Sequence, residues 1–152
     1  MTMSLDGTLG ITLPAAAAPA FSAYCSSGQS ISSGTFTKIQ YQTKEFDTNS
    51  NYDNATNYRF TPTVAGYYQI NGSFEAVNNC AAVVSIYKNG SQYKQSAYPA
   101  STYFYSATVS AIVYLNGSTD YVEMYGFSGG SSNTTQTGIY LNWFNGAMIR
   151  SA

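Results

Sequence analysis

From Phe21 onward apolar and polar residues alternate with a period of two, and no window of about eleven residues carries a convincing 3.6-residue period. Such alternation puts successive side chains on opposite faces of an extended strand. Runs rich in Tyr, Phe, Val, Ile and Thr, separated by turn clusters, predict strands at residues 20–25, 35–46, 58–62, 66–76, 81–88, 93–98, 103–115, 121–127 and 138–150. Ahead of them residues 9–13 predict a short strand. It leads into an Ala-rich linker that Pro14 and Pro19 hold extended. The chain therefore divides into a leader and linker, residues 1–19, and a β domain, residues 20–152.

The strands carry a second pattern. Between residues 66 and 74, Tyr68, Ile70, Gly72 and Phe74 share one face, and Tyr67, Gln69, Asn71 and Ser73 the other. Between residues 107 and 115, Ala107, Val109, Ala111, Val113 and Leu115 oppose Thr108, Ser110, Ile112 and Tyr114. In residues 138–150, Ile139, Leu141 and Trp143 oppose Tyr140, Asn142 and Phe144. The second face is thus itself partly apolar. A two-sheet sandwich hides only one face of each sheet, so the pattern predicts burial against further copies of the chain.

Four Asn-Gly pairs punctuate the sequence. Asn89-Gly90 and Asn116-Gly117 lie between strand-like runs and predict tight hairpins, because both residue types tolerate positive φ. Asn71-Gly72 and Asn145-Gly146 fall inside runs and predict bulges or the close approach of a neighbouring backbone.

Composition narrows the function. Only 9% of the 152 residues are charged and the formal charge is −1, so there is no basic field to hold phosphates, and nucleic acid is not an expected partner. The absence of histidine removes the commonest general base and transition-metal ligand. Cys25 and Cys80 lack CxxC spacing; two free, partly buried thiols are expected rather than a disulfide. Residues 1–22 contain an Ala run but no basic n-region, and carry Asp6, Pro14 and Pro19, so no export signal is expected. No apolar run approaches the roughly 20 residues of a membrane span, so no membrane insertion is expected.

Several runs, in order, resemble the C1q/tumour-necrosis-factor-like jelly-roll family. Tyr58-Arg59-Phe60-Thr61-Pro62 followed by Val64-Ala65-Gly66-Tyr67-Tyr68-Gln69-Ile70 resembles the family's aromatic strand, short turn and Gly-x-Tyr-x-apolar strand. Val84-Ser85-Ile86-Tyr87-Lys88-Asn89-Gly90 resembles its next strand and hairpin. Leu115 to Met124 resembles its Leu-x-x-Gly-Asp-x-Val run, with Ser118 and Thr119 inserted between the Gly and the Asp. Trp143-Phe144-Asn145-Gly146-Ala147-Met148-Ile149 resembles the closing Phe-Ser-Gly-apolar strand, with Asn145 in the serine's place. The resemblance spans residues 21–152. It implies an all-β, two-sheet jelly-roll sandwich of about ten antiparallel strands, assembled as a homotrimer. Tyr67, Ile112, Tyr114 and Tyr140 would then face the threefold axis, while Tyr68, Ile70, Phe74, Val109, Val113, Leu115, Val122, Met124, Ile139, Leu141 and Trp143 fill each sandwich.

A looser resemblance to phage tail-fibre and virion-appendage domains, with DGTLGIT-like leaders, implies a virion protein. Its partners would be its own copies, other virion proteins, or a glycan or protein on a host surface. A secreted or cell-surface C1q-like lectin or adhesion module is the alternative. Chemistry finds little support. Asp47 and Asp53 bracket a polar loop whose oxygens suit Ca²⁺, which takes about six to eight oxygen ligands, but a solvated loop is the expectation, and no metal or other cofactor is predicted. Glu75, Asp120 and Glu123 show no paired-carboxylate spacing, and Glu123, alternating with Val122 and Met124, is expected to be solvated. A non-enzymatic binding module follows. Sequons at Asn54, Asn71, Asn89, Asn116 and Asn133 are expected by chance in so Asn-rich a chain. Residues 126–138 predict a variable loop suited to contacts.

Overall fold

The computed structural model describes residues 4–6, 10–12, 18–99 and 105–152. The strands are β1 (Ser4–Asp6), β2 (Gly10–Thr12), β3 (Ala20–Tyr24), β4 (Ser30–Ile31), β5 (Thr37–Lys38), β6 (Thr43–Asp47), β7 (Tyr52–Asp53), β8 (Arg59–Phe60), β9 (Gly66–Glu75), β10 (Ala81–Lys88), β11 (Ser91–Gln95), β12 (Ser106–Leu115), β13 (Val122–Gly129), β14 (Asn133–Thr134) and β15 (Trp143–Ser151). No helix occurs among the described residues. One sheet runs β12-β9-β15-β3-β6; the other runs β11-β10-β13-β8-β7, with β5 also on β13. Every paired strand is antiparallel. In the leader β1 and β2 pair as well; the predicted strand at residues 9–13 coincides with β2, and its ends and the linker up to residue 17 fall outside the described residues.

The core lies between the two sheets. Tyr68, Ile70, Phe74, Val109, Val113 and Leu115 enter it from β9 and β12, as the alternation predicts, and Ala82, Val84, Ile86, Val122 and Met124 enter from the facing sheet. Phe21 of β3 joins the layers: its ring stacks on Phe60 at 4.3 Å and on Tyr52 at 5.1 Å, and meets Phe144 edge-on at 4.8 Å. Such ring pairs contribute about 0.5–1.5 kcal/mol each beyond their burial. Buried tyrosines satisfy their hydroxyls on carbonyls, Tyr41 on Ser73 at 2.9 Å and Tyr52 on Tyr41 at 3.1 Å. Gly72 and Gly146 are flat spots in the sheet. A Cβ on Gly72 would stand 2.5 Å from Met124 Cε, and one on Gly146 would stand 2.7 Å from Ile70 Cδ1. The close approach at Gly72 is of the Met124 side chain, and at Gly146 it is of core side chains together with neighbouring backbone, the Gln69 carbonyl oxygen standing 3.1 Å from that Cβ; the β15 bulge lies further on, between Met148 and Arg150.

Several expectations need correction. The strand predicted at residues 138–150 begins only at Trp143, after a turn in which the Leu141 amide donates to the Gly138 carbonyl at 3.2 Å. Its faces are the reverse of those expected. Asn142, Phe144 and Gly146 are buried, Leu141 and Trp143 are half-buried, and Ile139 is exposed. Asn142 makes the inward position tolerable by acting as a strand partner: its Oδ1 accepts from the Glu75 amide at 2.7 Å, and its Nδ2 donates to the carbonyls of Glu75 and Gln136, both at 2.8 Å.

The predicted strand at 35–46 is broken into β5 and β6, because the Gln29 side chain binds the Gln40 amide at 2.9 Å and the Lys38 carbonyl at 2.7 Å in place of a neighbouring strand. Asn89-Gly90 forms the expected hairpin, with φ of 52° and 78°. Asn116-Gly117 does not: β12 and β13 belong to different sheets, and the segment crosses between them. Asn116 Oδ1 accepts from the amides of Ser118, Thr119 and Asp120 at 2.9–3.0 Å, so the inserted Ser118 and Thr119 are wrapped around one side chain. The segment 126–138 is not a free loop either; β13 continues to Gly129 and β14 pairs with β4.

Candidate assembly surface

The outward face of the β12-β9-β15-β3-β6 sheet is built in rows fixed by strand register. Tyr114, Tyr67 and Arg150 form the first row, Ile112, Gln69, Ala147 and Ala20 the second, and Ser110, Asn71, Asn145, Ser22 and Phe46 the third. The first two rows are apolar at the β12 end. Tyr67 is 43% exposed, Ile112 54% and Tyr114 42%, and the Tyr67 and Tyr114 rings lie 5.5 Å apart. Ile149, extruded by the β15 bulge, is exposed beside them. Together Tyr67, Ile112, Ile149, Arg150, Ser151 and Ala152 line a depression of about 540 Å³. A second depression, about 240 Å³, lies on the same sheet between Phe46, Asn71 and Asn145.

Polar groups in the middle of this face are bonded to one another. Gln69 Nε2 donates to Asn71 Oδ1 at 3.0 Å and to Ser110 Oγ at 2.8 Å, Ser110 Oγ donates to Asn71 Oδ1 at 2.8 Å, and Asn71 Nδ2 donates to Asn145 Oδ1 at 3.0 Å. Their requirements are largely met without water, which lowers the cost of covering them.

Of the residues expected at a threefold axis, Tyr67, Ile112 and Tyr114 therefore come together. Tyr140 does not join them. It is 78% exposed in the turn before β15, beyond the Glu75 end of β9, whereas Tyr67 stands at the opposite end of that strand. Sequence reasoning missed Ile149 and Phe46, both large and exposed, because each owes its position to a bulge that alternation does not reveal.

The acidic residues considered for chemistry are dispersed. Asp47 accepts from the amides of Asn51 and Tyr52 at 2.9 and 3.0 Å. Asp53 accepts from those of Ala55, Thr56 and Asn57 at 3.0, 2.9 and 3.1 Å, which hold its carboxyl well below the usual range. Both carboxylates are thus committed to capping turns, and no cluster of metal-ligating side chains occurs among the described residues. Asp120 pairs with Lys88 at 3.0 Å and accepts from Asn89 Nδ2 at 2.7 Å. Glu123, expected to be solvated, is 2% exposed and paired with Lys38, because Lys38 of β5 covers this outward-facing position of β13.

The fold is similar to that of Eiger TNF from S. frugiperda, with a TM-score of 0.67 at 8% identity over 89% of this chain and 94% of that one. It is also similar to PRD1 vertex protein P5, with a TM-score of 0.66 at 19% identity over 87% and 97%. Murine APRIL at pH 5.0 gives 0.65 at 6% identity over 87% and 99%. No family model matches the sequence, and no curated protein does. The likeness establishes the architecture: this is an all-β, TNF/C1q-like jelly roll of two antiparallel sheets.

Proposed function

We propose that the chain is a non-enzymatic structural and binding module that works as a homotrimer in a phage tail fibre or other virion appendage. The observation carrying this reading is the outward face of the β12-β9-β15-β3-β6 sheet, where Tyr67, Ile112 and Tyr114 stand exposed beside an internally bonded amide cluster. A face of this kind suits contact with another protein surface, since it offers apolar area at little polar desolvation cost. Tyr140 extends the contact at the far end of the sheet. The likeness to PRD1 vertex protein P5 favours a virion setting, in which residues 1–19 would serve as leader and linker from a stalk and the distal loops would meet a host glycan or protein, or another virion component. The likeness to Eiger TNF and murine APRIL favours the alternative, a secreted or cell-surface module.

Light scattering tests the assembly. The expected mass is three times the chain's 16.4 kDa, and a monomer whose mass does not change with concentration refutes it. Labelling of intact particles with an antibody to the chain separates the two settings.

A further inference from the structure

Five of the six cations are engaged within the chain. Lys38 pairs with Glu123, Lys44 with Asp47 at 3.2 Å and Lys88 with Asp120 at 3.0 Å. Arg59 lies over the Tyr121 ring at 4.2 Å and Lys94 over the Tyr93 ring at 5.4 Å. Among the described residues one cation, Arg150, is left with neither an acid nor a ring. Asp53 is occupied in its turn, and within the two main sheets Glu45 and Glu75 are acidic side chains that form no ion pair. Arg150, Glu45 and Glu75 belong to the same sheet, on β15, β6 and β9.

Their surroundings are complementary. Arg150 lines the same depression as Tyr67, Ile112 and Ile149, so a largely apolar hole has a cationic residue in its wall. Glu45 occupies a bulge in edge strand β6. Phe46 is the register partner of Ser22, and Glu45 Oε2 accepts from Ser22 Oγ at 2.6 Å, so an exposed ring and an oriented carboxylate stand together. Counting two strand spacings across the sheet and about five residues along it, Glu45 and Arg150 are roughly 15–20 Å apart within one chain. Only a second copy can bring them together. A copy that caps this hole with a carboxylate offsets the cost of covering the Arg150 charge.

We propose that Glu45 and Phe46 of one copy dock into the Tyr67–Ile112–Ile149 depression of the next, with Glu45 pairing to Arg150. The inference rests on the assembly proposed above and names its contact. Knob and hole are different patches, so the contact is heterologous, and in the proposed trimer its rotation closes into a ring. Glu75 is the weaker partner: it is half-buried and lies at the end of β9 remote from Tyr67.

A charge exchange tests the pairing. The unaltered chain is measured first by light scattering; if it is a monomer, the assembly itself fails and the pairing falls with it. If it is a trimer, Arg150→Glu and Glu45→Arg should each raise the dissociation constant at least tenfold and shift the mass toward one chain, with circular dichroism unchanged because both sites are exposed. The double exchange, Arg150→Glu with Glu45→Arg, should restore the trimer. Single variants that remain trimeric at the same concentrations overturn the pairing while leaving the assembly intact. So does a double exchange that stays dissociated, or restoration by Glu75→Arg instead.

Discussion

Replacing Gly117 by alanine should destabilise the fold through two separable effects. Gly117 has φ of +71° and closes the crossover from β12 to β13 directly against the chain before β9. A Cβ there would run into the Ala65 amide nitrogen and stand 2.5 Å from the Val64 carbonyl carbon. Both are backbone atoms that cannot rotate away. The left-handed conformation costs an L-residue about 1–2 kcal/mol, and forcing an extra carbon into filled space costs about 1–3 kcal/mol more. The sum, about 2–5 kcal/mol, lowers the melting temperature of a chain this size by on the order of 10 °C. Gly34 and Gly90 supply the controls: φ is +68° and +78°, but a Cβ on Gly34 meets nothing within 4 Å and one on Gly90 comes no closer than 3.5 Å, to the Tyr121 hydroxyl. Gly34→Ala and Gly90→Ala should therefore show only the conformational cost. Melting temperatures by circular dichroism at one protein concentration decide the matter; Gly117→Ala indistinguishable from the controls would refute the backbone clash.

Acid should loosen the two turns that carboxylates hold. Amide donors keep the Asp53 carboxyl below the usual range, and the Asn89 side chain followed by Lys88 does the same for Asp120. A depressed folded pKa gives stability that is complete above the unfolded value near 4 and disappears as pH falls through the folded value. Asp120→Asn should accordingly lower the melting temperature at pH 7, by the equivalent of under about 1 kcal/mol since the pair lies at the surface with Lys88 25% and Asp120 14% exposed, and the gap to the unaltered chain should narrow as pH falls below the unfolded value near 4; a constant gap would contradict the linkage. Burial pushes the Cys25 thiol up to about 12, and Cys80 is buried too. Neither should react with a thiol reagent at pH 8 in the native state, and both should titrate in denaturant; rapid native labelling, or fewer than two thiols on unfolding, would count against this.

Alternation revealed β9, β10 and β12 almost residue for residue because each is long, paired on at least one side over its whole length and apolar on a consistent parity. The same rule failed on β15. Trp143 and Phe144 are adjacent aromatics, so either parity offers an apolar face, and a shift of one residue exchanges the whole set. What fixes the register is Asn142, whose amide binds the backbone of Glu75 and Gln136 from a buried position. A polar residue that replaces a strand partner looks like a surface residue in a sequence. Glu123 was misjudged for a related reason: its cover, Lys38, is distant along the chain, and only the pairing of β5 with β13 brings the two together.

The candidate surface was legible in part for the same physical reason. Ile112 and Tyr114 stand out because apolar groups at outward positions have no place on a sheet wet on that side. Their neighbours Gln69, Asn71, Ser110 and Asn145 look like ordinary solvent-facing residues, yet they bond to each other. Leaving a polar group unpaired on burial costs roughly 1–3 kcal/mol, and a cluster that has already met most of its needs escapes most of that cost. A face with polar residues in its centre can therefore be covered by a protein surface about as readily as an apolar one. Arg150 is the exception within it, a charge with no ion pair in the chain, and a carboxylate on the covering copy would offset the cost of burying it.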